Sequence, residues 1–309
     1  MIHGYWQVSR RAWSLSVQAY DSNPGGSRKF KRHLRWSAAA ALREASTSRW
    51  FTFLDQPELG PFLTANPRLA FRPMGGYMSS RWAWGERARV IRDTYGFIVG
   101  QGGFLLDAMV SSAGKTLARI PLGGNRTATL WIGPHSQFRK EGEVTVFLFM
   151  DTLDGPVSGL SFSLAREGPG WECYVGGLQG RKGGDEDAIK EATKAFQGLR
   201  PKALMVFVAQ EIARSLRVSR LLGVGNQIHI FRSRILGPPR KILFDFDELW
   251  LEAGAKPGPD GWFIVPVRSA RRGPENVRPN KRAQYARRYA LMDELSRQIK
   301  TLLTPFPRR

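Results

Sequence analysis

The sequence predicts an α+β protein, with a central antiparallel or mixed sheet and flanking helices. Three observations predict it. Four apolar or alternating segments recur at strand-plus-turn spacing between residues 127 and 177. Helical periodicity takes over from residue 185, and short strand patterns return near residues 220 and 262. Hydrophobic residues make up 42% and charged residues 24% of the 309, so the chain can bury a core, and neither a disordered nor a fibrous protein is indicated. No internal repeat is visible.

The first fifty residues read as a basic, Trp-rich N-terminal arm, with one α+β domain over residues 51–303. The arm holds nine Lys or Arg against Asp21 and Glu44, and Trp6, Trp13, Phe30, Trp36 and Trp50 interleave with the charges. Cations attract an anionic surface and rings insert or stack, so the arm suits an anionic membrane or a nucleic acid. Equally, it suits a solvated segment whose aromatics pack on the main domain.

The strand segments are residues 127–133, 143–150, 157–164 and 171–177, separated by Gly, Pro and Asp. The second is apolar on both faces, which predicts a central strand. In the third, Leu160, Phe162 and Leu164 alternate with Gly159, Ser161 and Ser163, whose face lines a polar site or meets water. Helices follow over 185–196 and, nearly all apolar in its first half, over 201–216. Residues 220–231 return to strand, placing Gln227, His229 and Phe231 on one face. A last helix carries the stripe Tyr285, Tyr289, Met292, Leu295 and Ile299 after a basic start.

The net charge is +21, from 47 Lys plus Arg and 26 Asp plus Glu, so a negatively charged partner is expected: nucleic acid, lipid headgroups or a phosphorylated small-molecule substrate. One cysteine, Cys173, excludes an internal disulfide and reads as a small buried strand residue. No signal-peptide core and no 18-residue apolar run occurs, which predicts a cytoplasmic protein, peripheral to the inner membrane at most. Residues 111–116, "SSAGKT", fail as a P-loop because Met109 stands where glycine is required. "GVGNQI" lacks the third glycine of a dinucleotide fingerprint. His3, His33, His135 and His229 show no metal-ligand spacing, so no metal site is predicted.

Two stretches remain as anion sites. "GGLQGRKGGDED", residues 176–187, joins a strand to a helix through Gly176, Gly177, Gly180, Gly183 and Gly184. Glycines let backbone amides approach a ligand. However, Asp185, Glu186 and Asp187 occupy the positive helix end and oppose a phosphate. At "LRPK" Pro201 sits at N1, Arg200 and Lys202 flank it, and no acid follows before Glu211. Either an anion binds there or the two cations pair with residues 185–187.

"YVGGLQGR", "ATKAFQGLRPKALM", "GVGNQIHIF", "FDFDELWLEAGA" and "NKRAQYARRY", in this order, resemble the successive motifs of the VirK/YbjX family, the DUF535 domain of bacterial proteins. The resemblance spans roughly residues 50–292. It implies an association with envelope properties, virulence and stress responses, without an established reaction. His229, Gln179, Arg200, Lys202 and Trp250 match the pattern. Gln197 stands where the family usually has histidine; Phe246 and Leu249 replace Tyr and Phe, and Gly254 with Ala255 replaces a glycine pair.

Two functions are carried forward. One is a GNAT-like acyltransferase. Gly177, Gly180, Gly183, Gly184, Arg200 and Lys202 would hold the pyrophosphate of acyl-CoA or a similar donor, His229 would be general base, and Gln179 would assist it. The other is a non-enzymatic binder of an anionic membrane surface or nucleic acid, using the arm and the basic helix start at 278–288.

Overall fold

The computed structural model describes residues 2–20, 27–135, 137–181, 183, 185–233 and 244–304. Gly184, expected at the phosphate, lies outside them. The first third of the chain is helical: α1 (Ile2–Tyr20), α2 (Ser27–Ala41), α3 (Glu44–Leu54), α4 (Gly60–Ala65), α5 (Trp84–Gln101) and α6 (Gly103–Val110). The boundary drawn at residue 50 falls inside α3. Trp36 and Trp50 are buried, Trp36 stacking on Phe71 at 5.0 Å and Trp50 donating its indole N–H to the Ala70 carbonyl at 2.9 Å. Thus aromatics of the basic segment are packed into the molecule, while Trp6 and Phe30 stay exposed.

An antiparallel meander follows: β1 (Lys115–Leu122), β2 (Arg126–Gly133), β3 (Val144–Met150), β4 (Ser158–Glu167) and β5 (Gly170–Gly180). Next come α7 (Glu186–Ala195) and α8 (Pro201–Ser215), which return the chain to β6 (Arg220–Val224), parallel to β5. The chain ends with α9 (Phe246–Glu252), β7 (Lys256–Pro257), β8 (Trp262–Val265) and α10 (Arg282–Leu303). The eight strands form one mixed sheet in the order β1-β2-β3-β4-β5-β6-β8-β7, so the chain is α+β. The expected order of strands first and helices afterwards is corrected by the six leading helices among the described residues.

Periodicity explains most elements. β3 is buried on both faces, as its apolar residues on both sides, broken only by Thr145, require. The alternate face of β4 divides: Gly159 lines a cleft, whereas Ser161 and Ser163 are fully buried, and Ser163 Oγ bonds the Tyr77 hydroxyl at 2.5 Å and accepts the Glu143 amide at 3.0 Å. α8 is buried nearly all round, and α10 lies across α8 and β1. The Gln298 side chain both accepts from the Arg119 amide at 2.9 Å and donates to its carbonyl at 2.8 Å, on the outer strand β1. The opposite outer strand, β7, has two residues, the second a proline.

The strand expected over 220–231 is corrected. β6 stops at Val224, and His229 makes only an isolated bridge with Ser79 before capping a 3-10 turn, Ile230–Arg232. Capping from elsewhere bends the chain. The Asn226 amide donates to Asp247 at 2.7 Å and its side-chain amide donates to Asp245 at 2.7 Å, while Asn226 Oδ1 accepts the Phe246 amide at 2.9 Å.

Cys173 lies in β5 and is buried, and burial pushes its thiol far above the usual range. We expect no reaction with an aromatic disulfide reagent in the folded protein and complete reaction after denaturation. Rapid labelling of the native chain would refute the buried placement.

Candidate functional site

β5 parts from β6 after the pair Val175–Gly223 and runs on to Gly180. A bulge at this point shifts its register against β4 between Ser161 and Phe162. Glu141, from the turn before β3, enters the opening. Two glycines admit it: a Cβ on Gly176 would lie 2.2 Å from the Glu141 carbonyl oxygen, and one on Gly177 2.6 Å from its carboxyl carbon.

Glu141 gathers the two residues expected to be catalytic. Gln179 Nε2 donates to its carboxylate at 2.8 and 3.1 Å, and His229 Nε2 lies 3.2 Å from Oε1. Both His229 and Glu141 are buried, with side chains 1% and 2% exposed. His229 Nδ1 accepts the Phe231 amide at 3.3 Å. This pattern assigns the ring proton to Nε2 and leaves neither nitrogen open to a substrate. The ring also stacks on Phe246, with centroids 4.8 Å apart and planes 19° apart. His229 therefore sits on a bent loop packed under α9.

The DFDELW segment explains how that loop is held. Asp245 caps α9 by accepting the Glu248 amide at 3.0 Å, and that bond, then the one from Asn226, holds its carboxyl below the usual range. Trp250 lies over Gly223 and donates its indole N–H to the Val224 carbonyl at 2.8 Å. "GVGN" and "FDFDELW" are thus two halves of one contact.

At the carboxyl end of β5 a cleft of about 260 Å³ opens, lined by Gly180, Ile189, Arg200, Lys202, Phe244 and Leu249 among others. Arg200 is the Ncap of α8 and Pro201 its N1. The amides of Lys202 and Ala203 fall in the first turn, where a helix has no internal acceptor. Lys202 Nζ lies 3.3 Å from the centre of the Phe244 ring, and burial lowers its pKa. Asp245, Glu248 and Glu252 line the same cleft, so its charge is mixed. A neighbouring cleft of about 260 Å³ shares Gly180 and is lined by Gln179, Arg181 and Phe147.

The acids at the start of α7 are engaged elsewhere. Asp185 accepts the Ala188 amide at 3.0 Å and pairs with Arg181 at 3.2 Å; Glu186 and Asp187 lie 3.8 and 3.2 Å from Lys190. Among the described residues, neither Arg200 nor Lys202 has an ion-pair partner. Gly180 leaves room for the Lys202 stem, since a Cβ there would lie 3.0 Å from Cε. Gly183, at φ +89°, faces open space. The structure therefore brings Gln179, Gly180, Arg200 and Lys202 around one strand end and sends Gly177 and His229 to the buried node beside it.

Gln197, the departure from the family pattern, lines neither cleft. At φ +55° it follows α7, its Oε1 accepts from Arg287 at 3.0 Å, and its carbonyl takes two bonds from Arg288 at 2.8 and 3.1 Å. Two cations of the basic helix start are thereby tied to the fold. Sequence reasoning missed Glu141. Its signal was the glycine pair in mid-strand, which marks a close approach as well as a flexible turn.

The family described as "Protein of unknown function (DUF535)" matches residues 25–301. The chain is similar to the Escherichia coli K12 protein described as "Uncharacterized protein YbjX", 29% identical over 251 residues, 80% of this chain and 75% of the relative. It is also similar to an uncharacterized protein of Haemophilus influenzae, 28% identical over 117 residues, which cover 38% of this chain and 39% of that relative. No solved structure matches. Among the described residues no helix is long and apolar enough to cross a membrane. The motifs quoted from the sequence fall within the matched span, and the chain belongs to the DUF535 family.

Proposed function

We propose that the cleft at the carboxyl end of β5 binds an anionic, partly apolar small molecule, with acyl-CoA the first ligand class to test. One observation carries this reading: among the described residues, Arg200 and Lys202 stand without ion-pair partners at the open end of α8, in a cleft walled by Ile189, Phe244 and Leu249. Helix amides, a guanidinium and an ammonium there attract the same charge. The sheet order adds support. β5 and β6 run parallel, are joined through α7 and α8, and diverge beside the cleft, an order like that in which GNAT proteins hold acyl-CoA. In this reading His229 positions Glu141 and Gln179 instead of acting as the base, because both its nitrogens are engaged.

Calorimetric titration with CoA and an acyl-CoA tests the cleft. Binding is expected to weaken on the order of tenfold or more in Arg200→Ala, as for loss of a hydrogen bond to a charged group. The pH dependence has a definite sign. The Lys202 pKa is lowered from its ordinary value of 10.5, so its charge is lost at a lower pH in the folded protein than in the unfolded chain. Affinity should therefore fall as pH rises through that lowered value, whereas Lys202→Met should bind weakly and without this pH step. By the same linkage, the buried ammonium opposes folding below the lowered pKa, and this penalty fades as pH rises toward 10.5. No heat with either compound, or full affinity for both in Arg200→Ala, would refute the reading.

A further inference from the structure

A second concavity, of about 380 Å³, is lined by residues of α1, α2, the 3-10 segment Pro67–Met74 and the turn that leads to Glu141. Arg32, Arg35, Arg68, Arg72, Arg139 and Lys140 line it, and none of its lining residues is acidic. Like charges gathered in this way repel one another, so the grouping is unfavourable unless something negative occupies the space.

The cations are held in place by the aromatic wall. The Arg32 and Arg68 guanidiniums lie 4.9 and 5.1 Å from the centre of the Tyr20 ring, and that of Arg35 lies 4.8 Å from the Trp36 ring. Trp36 in turn stacks on Phe71. Arg72 is anchored deepest: its side chain is 9% exposed, its Nε lies 3.5 Å from Glu143, and it donates to the Arg139 carbonyl. Glu143 is itself fixed from behind by the Tyr95 hydroxyl at 2.8 Å.

Among the described residues Arg32, Arg35, Arg68 and Arg139 have no ion-pair partner. Burial, then the charges of Arg72 and Arg68, lowers the Arg139 pKa. The buried indole N–H of Trp36 also lacks an acceptor.

We infer that this basin binds a group carrying two or more phosphates, its oxygens taken by the guanidinium forks and its remaining bulk laid against Tyr20, Trp36 and Phe71. Phosphate fits better than a carboxylate. A carboxylate has two oxygens, too few for several planar forks, whereas linked phosphates present many and match the bidentate geometry of arginine. The volume lies in the range of small-molecule sites, roughly 300–1,000 Å³, and exceeds what one inorganic phosphate needs. The source can be a free phosphorylated metabolite or the headgroup of an anionic lipid. Phe30 and Leu34, exposed on α2 beside Arg32 and Arg35, give the second source an apolar foothold.

The test uses the full chain, the double variant Arg32→Gln/Arg35→Gln and, separately, Arg200→Ala. Both residues of the double variant are exposed, so the fold should survive; Arg68→Gln provides an independent readout, and circular dichroism checks each protein. The probes are inorganic pyrophosphate and tripolyphosphate by calorimetry, and cardiolipin-containing against phosphatidylcholine vesicles by sedimentation. We expect a basin variant to weaken binding on the order of a hundredfold while Arg200→Ala leaves it intact. Loss confined to the soluble probes assigns a free metabolite, and loss confined to cardiolipin vesicles assigns a headgroup. Binding unchanged in the folded basin variants, binding abolished by Arg200→Ala alone, or binding to none of the probes would overturn the inference. The contrast between basin variants and Arg200→Ala also separates its failure from that of the cleft.

Discussion

Trp250→Ala is expected to lower the unfolding free energy by about 4 kcal/mol, the middle of the range for deleting a buried aromatic side chain. Trp250 is fully buried, so its loss opens a large cavity beneath β6. Gly223 makes the site specific, because a Cβ there would lie 2.3 Å from the indole and no side chain can move in to refill the space. The Val224 carbonyl also loses its donor. Against a typical stability of roughly 5–15 kcal/mol, this removes much of the margin. Guanidinium denaturation followed by circular dichroism measures it. Trp6→Ala is the control, since Trp6 is 58% exposed and should change little. A loss below about 1 kcal/mol at Trp250 would mean that α9 is not the lock on β6 described above.

Glu141→Ala is expected to destabilise by about 3 kcal/mol, because His229 Nε2–H is left buried, and the half-buried Gln179 amide is left as well, without this acceptor. Glu141→Gln keeps an acceptor oxygen and the volume, so it should lose less. Gly177→Ala approaches the same node from the strand side, with a Cβ 2.6 Å from the Glu141 carboxyl carbon, and should also destabilise. The comparison of urea midpoints across the three variants is the measurement. If Glu141→Ala is neutral, the opening between β5 and β6 does not depend on this carboxylate.

The sequence made legible the elements whose cause is local. Apolar or alternating runs at strand-plus-turn spacing marked β2 to β5, helical stripes marked α7 and α10, and a nearly all-apolar run marked α8. Pro201 at N1 placed the start of α8 where it is found. The pairing of Asp185 and Arg181 also lies within one helical turn in sequence. What failed to show was non-local. Residues 227–231 alternate like a strand, yet hydrogen bonds that Asn226 donates to Asp245 and Asp247, 19 and 21 positions away, bend the chain. Glu141 meets partners 38 and 88 positions distant, and no spacing rule reaches that far. The basic N-terminal segment was legible only as two alternatives. Its charges and rings read equally as an arm for an anionic surface and as a segment whose aromatics pack on the main domain, and Trp36, Trp50 and buried Ala12 and Ala40 pack inward. The basin depends on that packing, because Arg32 and Arg35 come from α2 whereas Arg68, Arg72 and Arg139 come from later segments.

Gln298 holds both backbone groups of Arg119 on β1, as a neighbouring strand would, and the far side of the sheet closes with Pro257, which has no N–H to offer. An exposed row of unpaired amides and carbonyls is what lets one sheet recruit another molecule's strand. Here a side-chain amide stands in for that missing strand at one margin, and a two-residue strand leaves almost nothing to pair with at the other. Addition of a further strand is thus obstructed at Arg119 on one margin and at Pro257 on the other.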